Sequence, residues 1–144
     1  MPEATAHRSR RGPARAETVE AVHDDLDSLW DEADFVPEAD RMAFTLAVVE
    51  AATNVVEHAV PATEAPLELE VNMTAAPHRL QAKIYEIGAA PVVLDFAATP
   101  AVEELAERGR GMALIQTLVS TVVFERHGDT NVWELRRDYH RNQP

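Results

Sequence analysis

Three polar residues stand four positions apart in an otherwise largely apolar stretch: Glu50, Asn54 and His58. Four residues is close to one helical turn, so a helix would place a carboxylate, a carboxamide and an imidazole in one slanting row. Buried polar groups are costly unless they are satisfied, and a bound metal or ligand is one way to satisfy them. The alternative is the solvent-facing strip of an ordinary amphipathic helix.

Two further segments carry residues that could contact a ligand. Gly109, Arg110 and Gly111 precede a helical pattern, where free amides and the positive end of the helix dipole suit phosphate oxygens. The alternative there is a flexible turn. Glu86 ends a strand just before Gly88, so its carboxylate is either partly buried, and in need of a donor, or turned to water.

Composition excludes several kinds of site and partner. The chain of 144 residues has no cysteine, which rules out disulfides, thiolate metal sites and a cysteine nucleophile. A net charge of −12 argues against nucleic acid as the main partner. No apolar run is long enough for a membrane span, and no apolar core follows the N-terminal arginines as in a signal peptide. We therefore expect a cytoplasmic protein.

Charge is divided unevenly near the start of the chain. Residues 1–16 hold four arginines and one acid, whereas residues 17–40 hold ten acids and no lysine or arginine. Because residues 1–16 also lack hydrophobic periodicity, we expect a disordered tail. The acidic stretch is either a solvated helix face or a surface that meets a basic partner.

Hydrophobic periodicity predicts one domain over 17–138, followed by a short tail at 139–144. The predicted order is two helices (17–33 and about 37–59), two strands (67–73 and 80–87), a long loop, a helix from Gly111 to about Val119, and two strands (121–126 and 131–137). Such an order is typical of an α+β two-layer sandwich, in which helices cover one face of a mixed, mainly antiparallel sheet.

The nucleotide-binding boxes of the GHKL ATPase superfamily resemble four segments of this chain in the same order: Glu50-x-x-x-Asn54-x-x-x-His58-Ala59, Glu86-x-Gly88, Gly109-Arg110-Gly111-Met-Ala-Leu-Ile115 and Thr130-x-Val132. Within the superfamily the chain is most similar to the single-domain anti-sigma-factor serine kinases. The resemblance covers about residues 17–137 and implies the histidine-kinase-like ATP-binding fold.

The resemblance also implies roles for individual positions. Asn54 would ligate a Mg²⁺ ion that bridges the phosphates of ATP, and Glu50 would act as general base on a serine hydroxyl of a protein substrate. Residues 89–108 would form a lid. The remaining nucleotide contacts would come from His58, Glu86, Gly88, Arg108, Gly109, Arg110, Gly111 and Thr130.

The implied function is an anti-sigma factor with ATP-dependent serine kinase activity towards a STAS-type antagonist. Its partners would be a sigma factor and that antagonist, and members of the family commonly form homodimers. One motif departs from the family's Asp-x-Gly-x-Gly, because Glu86 and Ala90 replace the aspartate and the last glycine. This departure leaves open a non-catalytic regulator with a weakened nucleotide pocket. A stand-alone histidine-kinase catalytic domain fits less well, because the chain lacks a phosphoacceptor helix pair.

Overall fold

The described residues form a five-stranded sheet and three helices. The computed structural model describes residues 5–92 and 103–140, with the side chains of 103–109 outside that description. In chain order the elements are β1 (Ala6–Pro13), α1 (Ala16–Glu32), α2 (Glu38–His58), β2 (Glu68–Ala76), β3 (Arg79–Ile87), α3 (Glu103–Leu118), β4 (Thr121–His127) and β5 (Thr130–Asp138).

The strands form one antiparallel sheet in the order β1-β2-β3-β5-β4. Side chains alternate across it, so that every second residue of β2 and β3 is buried beneath the helices. The fully buried side chains include Phe44 of α2, Leu69 and Met73 of β2, and Ile84 of β3. This arrangement confirms the predicted α+β sandwich with helices on one face.

The first two helices lie close to their predicted positions. Pro37 is the N-cap residue of α2 and has an extended backbone. Asp40 in the first turn accepts a hydrogen bond of 2.8 Å from Arg137 of β5. Arg137 also donates to the carbonyl of Leu118 at the end of α3, so one guanidinium links two helix ends to the sheet. None of the described helices is both long and apolar enough to cross a membrane.

The disordered tail expected for residues 1–16 is wrong over Ala6–Pro13, which forms the edge strand β1. Its even positions face α1, and there Arg8 reaches Glu32 at 2.6 Å while Arg10 binds Asp25 at 2.8 and 2.9 Å. The hydrogen bond and charge of Asp25 raise the pKa of Arg10. Charge pairing and main-chain hydrogen bonds therefore stabilise this strand, where a hydrophobic pattern is missing.

The third helix begins earlier than the sequence predicts. Instead of starting at Gly111, α3 runs from Glu103 to Leu118, so the end of the predicted long loop is helical. Gly109 and Gly111 then lie inside a helix, where backbone amides are bonded to the preceding turn. The interpretation of this segment as a phosphate-binding helix N-terminus is wrong in this structure. The stretch 93–102 of the predicted lid lies outside the described residues.

Candidate functional site

The polar row of α2 faces the interior. Asn54 is 6 % exposed, and the His58 side chain is 7 % exposed with its Nε2 at 3.7 Å from the Glu57 carboxylate. Glu50, one turn before Asn54, is half-buried. The alternative of a solvent-facing strip is therefore wrong for Asn54 and His58, and Glu50 lies at the border between the core and solvent.

Gly111 of α3 lies directly against this row. A Cβ atom added to Gly111 would stand 2.9 Å from Asn54 Nδ2, 3.0 Å from Glu50 Oε1 and 3.1 Å from Asn54 Oδ1. Contacts that short are repulsive, so any residue larger than glycine here would have to displace the Asn54 and Glu50 side chains. The structure thus brings together Glu50, Asn54 and Gly111, which the sequence proposes as parts of one site.

The amide nitrogen of Asn54 has no hydrogen-bond partner among the described residues. A buried polar group left unsatisfied costs about 1–3 kcal/mol, and such groups are rare in folded proteins. A carboxylate and a carboxamide oxygen are also the hard oxygen ligands that Mg²⁺ prefers. The residues at this end of the cleft therefore fit a magnesium ion with its phosphate oxygens.

Glu86, at the other end, is fully buried and already engaged. Its Oε2 accepts a hydrogen bond of 3.2 Å from the indole nitrogen of Trp133 on β5. Trp133 is 5 % exposed, and its ring lies 4.5 Å from that of Phe124. The alternative of a strand-end acid turned to water is wrong for Glu86, and its donor is a side chain of the protein itself.

A small cavity lies between Asn54 and Trp133. Asn54 and Trp133 line one cavity of about 10 Å³, whose other walls are Ala51, Met112, Ile115 and Leu135. Such a volume holds about one water molecule. A cavity of this volume is too small for a purine base.

Gly88 and Thr130 lie at the same end of the sheet. Gly88 turns the chain with a φ of +79° and donates its amide hydrogen to the carbonyl of Asp129 at 3.0 Å. Thr130 pairs with Ile87 across the strands, on the opposite sheet face from Glu86, and its hydroxyl donates to Asp129 at 3.0 Å. The structure therefore does not bring Thr130 to the carboxylate of Glu86.

Asn131 is the residue that shares a cross-strand pair and a face with Glu86. It is fully buried, donates to the carbonyl of Ala90 at 2.8 Å and accepts from Arg126 at 3.0 Å. Arg126 also donates to the carbonyl of Ala89 at 2.6 Å. These hydrogen bonds from Asn131 and Arg126 hold Ala89 and Ala90, the first two residues of the predicted lid, against the sheet. Sequence reasoning missed Asn131, although it stands two positions before Trp133 and so shares its face.

The three other predicted ligand residues lie on α3. Arg110 is exposed, and Arg108 and Gly109 belong to the helix backbone.

Fold and site together describe an α+β domain in which two helices bring Glu50, Asn54 and Gly111 together. Residues 12–137 match the family model of the histidine kinase-like ATPase domain, and the chain belongs to that family. Membership implies ATP binding. The chain is also similar to a solved structure of the RsbU and RsbW domains of Rv1364c from Mycobacterium tuberculosis, with a TM-score of 0.65 and 17 % identity over 99 % of this chain. It spans 34 % of that structure's length. A search of curated proteins gave no significant match.

Proposed function

We propose that this domain is an anti-sigma factor that binds ATP with Mg²⁺ and phosphorylates a serine of a STAS-type antagonist. The observation that carries the proposal is the meeting of Glu50, Asn54 and Gly111 between two helices, with a buried amide that lacks a partner. Family membership supports the nucleotide, and the sequence resemblance supports the sigma factor and the antagonist as partners.

Each residue has a distinct part in this proposal. The Asn54 amide oxygen would hold Mg²⁺, which when bound neutralises charge on the phosphates. Glu50 is half-buried at the cleft border, so its carboxylate can accept the proton of a serine hydroxyl that approaches from solvent. Gly111 keeps the space above both side chains free of a Cβ atom.

Phosphate transfer from labelled Mg-ATP to a purified STAS-domain protein tests the proposal. We expect Glu50→Gln to lower the transfer rate about 100-fold or more while ATP affinity stays within a factor of about two, since a general base contributes about 10²–10⁴-fold. Glu57→Gln is the matched control, because Glu57 is an exposed acid on the same helix. If no STAS protein is phosphorylated, and Glu50→Gln changes nothing, the kinase proposal is wrong.

A second candidate is a non-catalytic regulator on the same fold, and the engaged carboxylate of Glu86 favours it. The indole of Trp133 supplies the donor that the family's carboxylate takes from the base, and the cavity between Asn54 and Trp133 is about 10 Å³. Calorimetry separates the two candidates. Heat of binding with ATP and Mg²⁺ in the micromolar to low millimolar range supports the kinase, and its absence at several millimolar nucleotide supports the regulator.

A further inference from the structure

An open groove runs between α1 and α2, away from the candidate site. It has a volume of about 780 Å³. Its floor and walls are mainly apolar: Trp30 of α1, Met42, Leu46 and Val49 of α2, and Leu118 of α3. Because Met42, Leu46 and Val49 recur at four and three residues, they form one stripe along α2.

Two of these side chains are unusually exposed for their size. Met42 is 67 % exposed and Leu46 is 47 % exposed, although neighbouring core residues of the same helix, such as Phe44 and Ala47, are fully buried. Single exposed apolar side chains are common, but adjacent ones in a concave surface mark a site of interaction. The groove therefore offers apolar area that residues 5–92 and 103–140 leave uncovered.

The rim of the groove is acidic. Asp27 of α1 and Glu38 of α2 border it, and the Asp27 side chain is 68 % exposed. His23, one turn before Asp27, lies 3.7 Å from that carboxylate. Arg41 also lines the groove, and its guanidinium donates hydrogen bonds of 2.7 and 2.9 Å to backbone carbonyls of the α1–α2 connection. These hydrogen bonds therefore hold Arg41 against its own chain and not against the rim acids.

Other acids of the same region are neutralised inside the fold. Three of them receive an arginine at 2.6 to 2.8 Å: Glu32 from Arg8, Asp25 from Arg10, and Asp40 from Arg137. Asp27 and Glu38 instead face solvent beside the apolar stripe. The groove thus combines uncovered apolar side chains with negative charge that is open to a partner.

We propose that this groove binds an amphipathic helix of a partner protein whose polar face is rich in lysine and arginine. Apolar side chains at i, i+4 and i+7 of that helix would enter the groove, and its basic side chains would face Asp27 and Glu38. A second copy of this chain is a poor occupant, because it would bring the acidic α1 of each copy towards the other. The proposal does not depend on nucleotide binding.

A designed peptide of about 18 residues tests the groove directly, with leucines on one helical face and lysines on the other. We expect saturable binding to the full chain, read from the fluorescence of Trp30, which lines the groove. The combined change Met42→Ser and Leu46→Ser should weaken binding about tenfold or more. The matched control is Val123→Ser on β4, because Val123 is 44 % exposed outside the groove.

Charge is tested separately. Asp27→Asn with Glu38→Gln should weaken binding and reduce its dependence on salt, since both acids lie on the rim. A peptide with glutamates in place of the lysines should not bind, and one of the same composition in scrambled order should bind at least about tenfold more weakly.

Three outcomes would overturn the proposal. One is equal binding of the scrambled peptide, and another is an equal loss of binding in the Val123→Ser control. The third is a dimer in sedimentation velocity that the Met42 and Leu46 changes convert to a monomer, because the groove would then be covered by a second copy. Circular dichroism melts establish that each variant is folded before binding is compared.

Discussion

The two ends of the cleft between α2, α3 and the sheet differ in what satisfies their polar groups. At one end, Asn54 keeps an amide nitrogen without a partner among the described residues, and Gly111 packs closely against its side chain. At the other end, Glu86 is fully buried and hydrogen-bonded to Trp133. The difference is that a buried amide nitrogen at Asn54 has no partner among the described residues, whereas the buried carboxylate of Glu86 has a donor within the fold.

The largest effect is expected from a change at Asn54. Asn54→Ala should weaken Mg-ATP binding by up to about 100-fold, because a hydrogen bond or ligand contact to a charged group contributes about 1.5–3 kcal/mol. The free energy of unfolding should change by less than about 1 kcal/mol, since the lost amide nitrogen has no partner in the fold. Calorimetry and urea unfolding measure the two quantities.

Asn131→Ala is the matched control for this prediction. Asn131 is a buried asparagine whose amide both donates and accepts, so its removal should cost about 1–3 kcal/mol of stability. If Asn54→Ala destabilises the protein as much as Asn131→Ala does, then Asn54 is a structural residue and this end of the cleft is not a binding site.

A smaller effect is expected where α3 meets α2. Gly111→Ala gains about 1 kcal/mol of helix propensity, but its Cβ would approach the Glu50 and Asn54 side chains to within 2.9 to 3.1 Å, at a cost of about 1–3 kcal/mol. In the Asn54→Ala background two of the three contacts disappear, so the same change should become stabilising. A double-mutant cycle in urea should give a coupling of about 1–2 kcal/mol. Additive effects would contradict this close contact.

The smallest effect is expected from a change at Trp133, beside Glu86. Trp133→Phe removes one competing donor from Glu86 and replaces the indole with a smaller ring, so a base amino group should reach the carboxylate more easily and ATP binding should tighten about fivefold, the equivalent of about one hydrogen bond. Inosine triphosphate, which lacks that amino group, should gain less. Competition calorimetry measures the ratio of the two affinities.

The control for this change is Trp30→Phe. Trp30 is also buried and also donates its indole hydrogen, but to Thr45 and outside the cleft. An unchanged preference between the two nucleotides in Trp133→Phe would mean that Glu86 does not read the base.

Much of the fold follows from local patterns. The apolar alternation of β3 and the three-and-four spacing of α1 place these elements within one residue of the structure, whereas β2 extends three residues beyond its predicted end. Asn54 and Glu50 were identifiable because turn spacing alone puts them in one row.

Other features depend on contacts between distant residues. β1 has no hydrophobic period, and its stability comes from pairing with β2 and from arginines that meet acids of α1. The change from basic to acidic composition at residue 17 was the signal, but composition does not reveal which charges meet. The indole of Trp133 reaching Glu86 was not predictable, because the partner of a buried carboxylate is chosen by packing across strands.

The edge strand has a practical meaning for anyone who shortens this protein. The composition of residues 1–15 suggests that they could be removed without harm. Their removal would take away β1, however, and leave the backbone amides and carbonyls along that edge of β2 without hydrogen bonds. It would also remove the cations that balance Asp25 and Glu32. The shortened protein would expose an unpaired strand edge that can associate with other chains, and α1 would carry unbalanced negative charge. Preparations intended for biophysical work should therefore retain residues 5–13.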